Sequence, residues 1–134
     1  MAREICGQGV KYLLDSNIVI AASLGIGDAL RQRMTACDEG DMVTSSVVYA
    51  EIIYGSVRGK PPPLDRLALV LEEVRLLDFD KAAAEAYASL PFQRRSFDQL
   101  IAAHALSKKL VIVTDNVRHF RDVAGLPVEN WIEP

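Results

Sequence analysis

Short unbroken apolar runs alternate along the chain with stretches whose apolar residues recur every three or four positions. Val10–Leu14, Met42–Thr44, Leu76–Leu77, Leu110–Val113 and Pro127–Trp131 predict brief strands, bounded by polar or turn-forming residues. Ile18–Leu24 predicts a helix capped by Ser16 or Asn17. A second helix opens on Asp28 and runs through Cys37, with Ala29, Leu30, Met34 and Cys37 at helical spacing, and stops by Gly40. Ser45 or Ser46 starts a third, to about Arg58, and a fourth covers Leu64–Glu73 with Leu67, Val70, Leu71 and Val74 on one side. Asp80 opens an alanine-rich helix to Leu90, stopped at Pro91. Ser96-Phe97-Asp98-Gln99 has the form of a capping box and predicts a helix over Phe97–Lys108.

Unbroken apolar strands alternating with helices predict a parallel sheet covered on both faces, an α/β/α three-layer sandwich. Gly59-Lys60-Pro61-Pro62-Pro63 breaks the pattern but is too short for an interdomain linker, so residues 1–134 are expected to form a single domain. Residues 1–10 read as a polar lead-in. No apolar run approaches the roughly 20 residues of a membrane span, and nothing at the start has signal-peptide form, so a cytoplasmic protein with no membrane partner is expected. Cys6 and Cys37 have no metal-ligand spacing and are expected as thiols rather than a disulfide. The formal charge of −3 argues against broad adhesion to nucleic acid but is compatible with a local basic patch.

Four acids stand where apolar segments end or are interrupted: Asp15 in YLLDSN, Glu51 in VVYAEIIYG, Asp98 in SFDQLIAAHA and Asp115 in VIVTDN. A carboxylate against such neighbours carries a desolvation cost unless it is paired or bound to a cation. Ligand sites of parallel sheets lie beyond the carboxyl ends of the strands, where Asp15 and Asp115 fall. Singly, each acid has a plain explanation. Asp15 can equally be a turn-and-cap aspartate, Asp98 complements a helix N-terminus, and Asp115-Asn116 can be a simple turn. Glu51 is harder to explain that way, lying among isoleucines and tyrosines, with Gly55 on its face leaving room for close approach. Together, oxygen ligands without a cysteine or histidine pattern suit Mg²⁺ or Mn²⁺ and a phosphate substrate.

His104 lies about 120° round the helix from Asp98 and is expected as a packed histidine. His119, Arg118 and Arg121 beyond Asp115, and Arg94 and Arg95 before Asp98, are candidates to hold a phosphodiester backbone or else form a solvated charged edge.

The segments YLLDSNIVI, VTSSVVYAEIIYG, FDKAAAEAYA, FDQLIAAHAL, VIVTDNVRHF and GLPVENW, in this order from Tyr12 to Trp131, resemble the PIN-domain ribonucleases and among them the VapC-type toxins, FitB-like proteins included. The resemblance implies a PIN fold and Mg²⁺- or Mn²⁺-dependent endonucleolytic cleavage of RNA by metal-activated water. It carries the catalytic and metal-holding roles onto Asp15, Glu51 and Asp98. The fourth ligand falls on Asp115 or Asn116, with Asn17 and Thr114 in support. Some relatives have an acid just before the phenylalanine, where this chain has His119. The resemblance also implies a homodimer and a small cognate antitoxin of VapB type. Tyr49, Ile52, Ile53, Tyr54 and Val57 on the Glu51 helix could serve the antitoxin groove, the dimer seam or the core. One rival is a PIN-like domain that binds RNA or protein without catalysis, which a missing core acid would mark; all three are present. Another is a metal-dependent phosphatase or DNA nuclease on the same site.

Overall fold

Five short strands form one wholly parallel sheet. They are β1 (Tyr12–Leu14), β2 (Met42–Ser45), β3 (Arg75–Leu77), β4 (Val111–Val113) and β5 (Val128–Glu129), in the order β3-β2-β1-β4-β5. The computed structural model describes residues 11–91 and 96–133. Six α-helices flank the sheet: α1 (Ser16–Leu24), α2 (Asp28–Thr35), α3 (Ser46–Ser56), α4 (Leu64–Val70), α5 (Lys81–Ser89) and α6 (Phe97–Lys108). This is the predicted α/β arrangement. None of the helices is long and apolar enough to cross a membrane, among the described residues.

Each central strand is apolar because both faces are covered: Tyr12, Leu13, Leu14, Ile112 and Val113 are fully buried. Register places Leu14 beside Val113, so the chain leaves β1 and β4 at the same level. From β1 the chain moves to β2 on one side, and β4 lies on the other. The order thus reverses at the β1–β4 pair, the position where parallel sheets open a crevice. Helix α6 lies between α5 and α3 and buries Ile101, Ala102, Ala103, His104 and Ala105. Burial on several sides explains the absence of a clean amphipathic stripe. At the other side, Trp131 packs edge-on against Tyr12 with ring centres 4.8 Å apart, and the Arg33 guanidinium lies 4.8 Å over Trp131. Arg33 also pairs with Glu129 at 2.9 Å, which ties α2 to β5.

Several boundaries differ from the sequence expectation. Asp15, not Ser16 or Asn17, caps α1: its extended backbone directs Oδ1 to the Ser16 N–H at 2.8 Å. Gly27, at φ 95°, occupies the cap position of α2, a conformation an aspartate would resist. Asp28 lies in the first turn instead and pairs with Arg31 at 2.6 Å. Helix α2 stops at Thr35, short of Cys37, whose half-buried thiol donates to the Arg33 carbonyl at 3.5 Å. Helix α4 ends at Val70, before Glu73, and the last strand is limited to Val128–Glu129. Ser45, Asp80 and Ser96 cap α3, α5 and α6. Val10, Cys6, Arg94 and Arg95 lie outside the described residues.

Candidate active site

Asp15 follows β1 directly and is 6% exposed. Its backbone N–H donates to Val113 O at 2.9 Å, continuing the β1–β4 ladder one step past the strand. The carboxylate is thereby held over the crevice. Oδ1 accepts from the Ser16 N–H, and Oδ2 accepts from the Thr114 hydroxyl at 2.8 Å. Thr114 in turn accepts from the Asn116 N–H at 2.9 Å. One hydroxyl thus locks the aspartate after β1 to the turn after β4.

Glu51 reaches the same place from α3. The Ser16 hydroxyl donates to its Oε1 at 2.5 Å, so Ser16 serves Asp15 through its backbone and Glu51 through its side chain. Asn17 donates from Nδ2 to Asp115 Oδ1 at 3.2 Å. Asp98, in the first turn of α6, meets His119 Nδ1 at 2.7 Å, and the Asn116 amide lies 3.1 Å from the same nitrogen. A carboxylate oxygen at 2.7 Å requires the proton on Nδ1, which fixes the His119 tautomer when the ring is neutral. All seven of Asp15, Asn17, Glu51, Asp98, Thr114, Asp115 and Asn116 therefore meet at one crevice, joined through Ser16 and His119.

Burial raises the pKa of Asp15, and repulsion from Asp98 and Asp115 adds to it, against the hydrogen bonds from Ser16 and Thr114. Burial likewise raises the pKa of Glu51, with Asp15 and Asp98 adding to it and the Ser16 hydroxyl opposing. The carboxylates are close enough to repel one another. Among the described residues, no lysine or arginine lies at ion-pair distance from Asp15, Glu51, Asp98 or Asp115. Nor, among the described residues, are three or more Asp, Glu, His or Cys side chains grouped so that they could hold a metal ion. The acids repel one another, and oxygen donors of like charge are the kind a hard divalent cation takes.

Arg118, His119 and Arg121 are exposed, and His119 reaches the cluster through Asp98. His104 packs as expected: it is fully buried, edge-on to Phe79, with Nδ1 2.7 Å from the Ser45 hydroxyl. Gly55 faces its own chain rather than a ligand: a Cβ there would make an ordinary contact with Lys60 Cβ at 3.5 Å. Ile52 belongs to the core, whereas Tyr54 and Val57 are 62% and 59% exposed. The residue the sequence did not mark for the site is Ser16. Its place between Asp15 and Asn17 was visible, but its hydroxyl's partner, 35 residues away, was not.

The switch point of the parallel sheet gathers the four acids. The chain belongs to the PIN-domain family and, within it, to the VapC group: the PIN domain profile matches residues 12–126, and curated VapC proteins match nearly the whole chain. The tRNA(fMet)-specific endonuclease VapC of Shigella flexneri is 38% identical, over 91% of this chain and 98% of that one. Its namesake in Salmonella typhimurium is 32% identical over the same shares. Among solved structures, VapBC2 from Rickettsia felis bound to a DNA fragment from its promoter superposes with a TM-score of 0.81 at 26% identity, covering 91% of this chain and 99% of that one. DNA-bound VapBC from Salmonella typhimurium gives 0.76 at 30%, covering 91% and 98%.

Proposed function

We propose that this protein is the endoribonuclease toxin of a toxin–antitoxin pair, and that it hydrolyses RNA with Mg²⁺ or Mn²⁺ held by Asp15, Glu51, Asp98 and Asp115, with Asn116 at the edge. The observation that carries this reading is the hydrogen-bonded convergence of those residues at the β1–β4 crevice. The cation, when bound, lowers the pKa of a water and offsets charge developing on the phosphate. The chain supplies position. Ser16 and Thr114 hold the Asp15 oxygens, Ser16 holds Glu51, His119 holds Asp98 and Asn17 holds Asp115. Arg118 and the outer nitrogen of His119 would contact the phosphodiester backbone. Hydrolysis by water leaves a 5′-phosphate and a 3′-hydroxyl and makes no use of the 2′-hydroxyl.

The names of the Shigella and Salmonella relatives make initiator transfer RNA the first substrate to test. The solved VapBC relatives support an antitoxin partner. Tyr54 on α3 and Val57, its C-cap, are candidates for a homodimer seam or for that partner. An RNA-cutting toxin acts in the cytoplasm, where its substrate is.

Purified, antitoxin-free protein incubated with initiator transfer RNA and with total RNA, in Mg²⁺, Mn²⁺ or EDTA, tests the proposal. Discrete 5′-phosphorylated fragments that vanish with EDTA support it. Absence of metal-dependent cleavage of any RNA by folded protein favours a binding module, and cleavage of DNA alone favours a different nuclease.

A further inference from the structure

A cleft of 850 Å³ lies between α5, α6 and the 118–124 segment, and Asp98 and His119, the pair that belongs to the acidic cluster, line it. Its floor follows one face of α6 from Asp98 through Ala102 to Leu106, a span of about 12 Å at the helical rise per residue. That matches the reach of a single nucleotide from phosphate to base edge. Leu106 and Val123 offer apolar surface over the buried Ala102, while Gln99, Arg118 and Asp122 bring polar heads. Among the described residues, these three heads have no hydrogen-bonding or ionic partner within the protein. Elsewhere on the surface Arg31, Lys81 and Lys108 are each held by a carboxylate. The cleft thus combines a dry floor with available donors and acceptors, the make-up of small-ligand sites.

Resting on the ribonuclease reading, we propose that this cleft receives the base of an unpaired nucleotide next to the scissile phosphate, and that Asp122 and Gln99 read an edge carrying an amino group. Single-stranded RNA is recognised through splayed bases that lie on protein surface and hydrogen-bond through their edges. Two carboxylates, Asp98 and Asp122, disfavour a second phosphate in the cleft and leave the neutral base as the occupant. A carboxylate accepts from N–H groups, so adenine, cytosine and guanine, each with an exocyclic amino group, fit Asp122 better than uracil. Gln99, with both a donor and an acceptor, complements the rest of the edge. Arg118 is left to the phosphate side of the same nucleotide.

The test uses the full chain with Asp15→Asn, which blocks chemistry, and labelled single-stranded oligoribonucleotides that differ in one base, read by fluorescence anisotropy. Amino-bearing bases should bind about 10-fold more tightly than uracil, and Asp122→Asn or Gln99→Ala should bring that ratio to about 2-fold while uracil binding stays unchanged. In the Asp15-containing chain the same variants should relax base preference at the nucleotide beside the cut, mapped from product ends. Equal binding of all four bases, or a preference unaltered in both variants, overturns the proposal. Cleavage with unaltered preference leaves the nuclease reading standing without this subsite. Base-selective binding lost in the variants, without cleavage by the Asp15-containing chain, keeps the cleft and overturns the nuclease reading.

Discussion

A divalent cation should stabilise this fold through Asp15, and Asp15→Asn should remove most of that response. Burial raises the pKa of Asp15, with Asp98 and Asp115 adding repulsion, and burial with Asp15 and Asp98 acts the same way on Glu51. A carboxyl with a raised folded-state pKa ionises more readily in the unfolded chain than in the fold. Its contribution to stability is therefore fully present below the unfolded value of about 4 and is lost as pH rises through the folded value. At neutral pH the cation-free fold carries that cost, and a cation that binds only the folded chain offsets it. At 100 times its Kd the cation adds about 2.7 kcal/mol, which for a domain of this length is a rise of about 10 °C in Tm. Thermal unfolding in Mn²⁺ and in EDTA measures it. In Asp15→Asn the rise should shrink to less than about 3 °C. In EDTA that variant should match or exceed the unsubstituted chain, because the amide can still accept from Ser16 and carries no buried charge. An equal Mn²⁺ response in both proteins would refute the reasoning.

Burial, then Lys108, lowers the pKa of His104 against the opposing pull of Asp80 and Asp78, so the fold favours the neutral ring. Stability should therefore decline as pH falls below the unfolded value of about 6.5, a slope that urea titrations should find flattened in His104→Gln. Ser45→Ala removes the α3 cap and the partner of His104 Nδ1, and should cost about 1–3 kcal/mol by denaturant unfolding. Thr114→Val keeps the shape but deletes the hydroxyl between Asp15 and the Asn116 N–H. Cleavage rate should fall by about 10-fold or more, with a stability cost near 1 kcal/mol; full activity would show that the Asp15 rotamer needs no such support.

The strands were legible because they are short apolar runs, and the α6 start because Ser96 and Gln99 mark it. The four acids stood out because each ends or interrupts an apolar segment. What the sequence did not display was adjacency. Only the order β3-β2-β1-β4-β5 puts Asp15 beside Thr114, 99 residues away, and neither local propensity nor periodicity encodes which strands pair. The cap of α1 was misplaced by one or two residues because Asp15, Ser16 and Asn17 are all good caps, and backbone geometry chose among them. Asp15 meets the turn-and-cap expectation and also joins the acidic cluster through Thr114. The His119–Asp98 pair was out of reach for the same reason as Thr114: it joins a loop to a helix 21 residues earlier.

Asp15, Glu51 and Asp98 should jointly support cation-dependent cutting of RNA. Single-turnover cleavage of one RNA by the unsubstituted chain and by Asp15→Asn, Glu51→Gln and Asp98→Asn, each shown to be folded, tests it most directly. Each substitution should lower the rate by about 100-fold or more, and EDTA should abolish cutting by the unsubstituted chain. Cleavage that persists in EDTA, or survives Asp15→Asn at an undiminished rate, would contradict it.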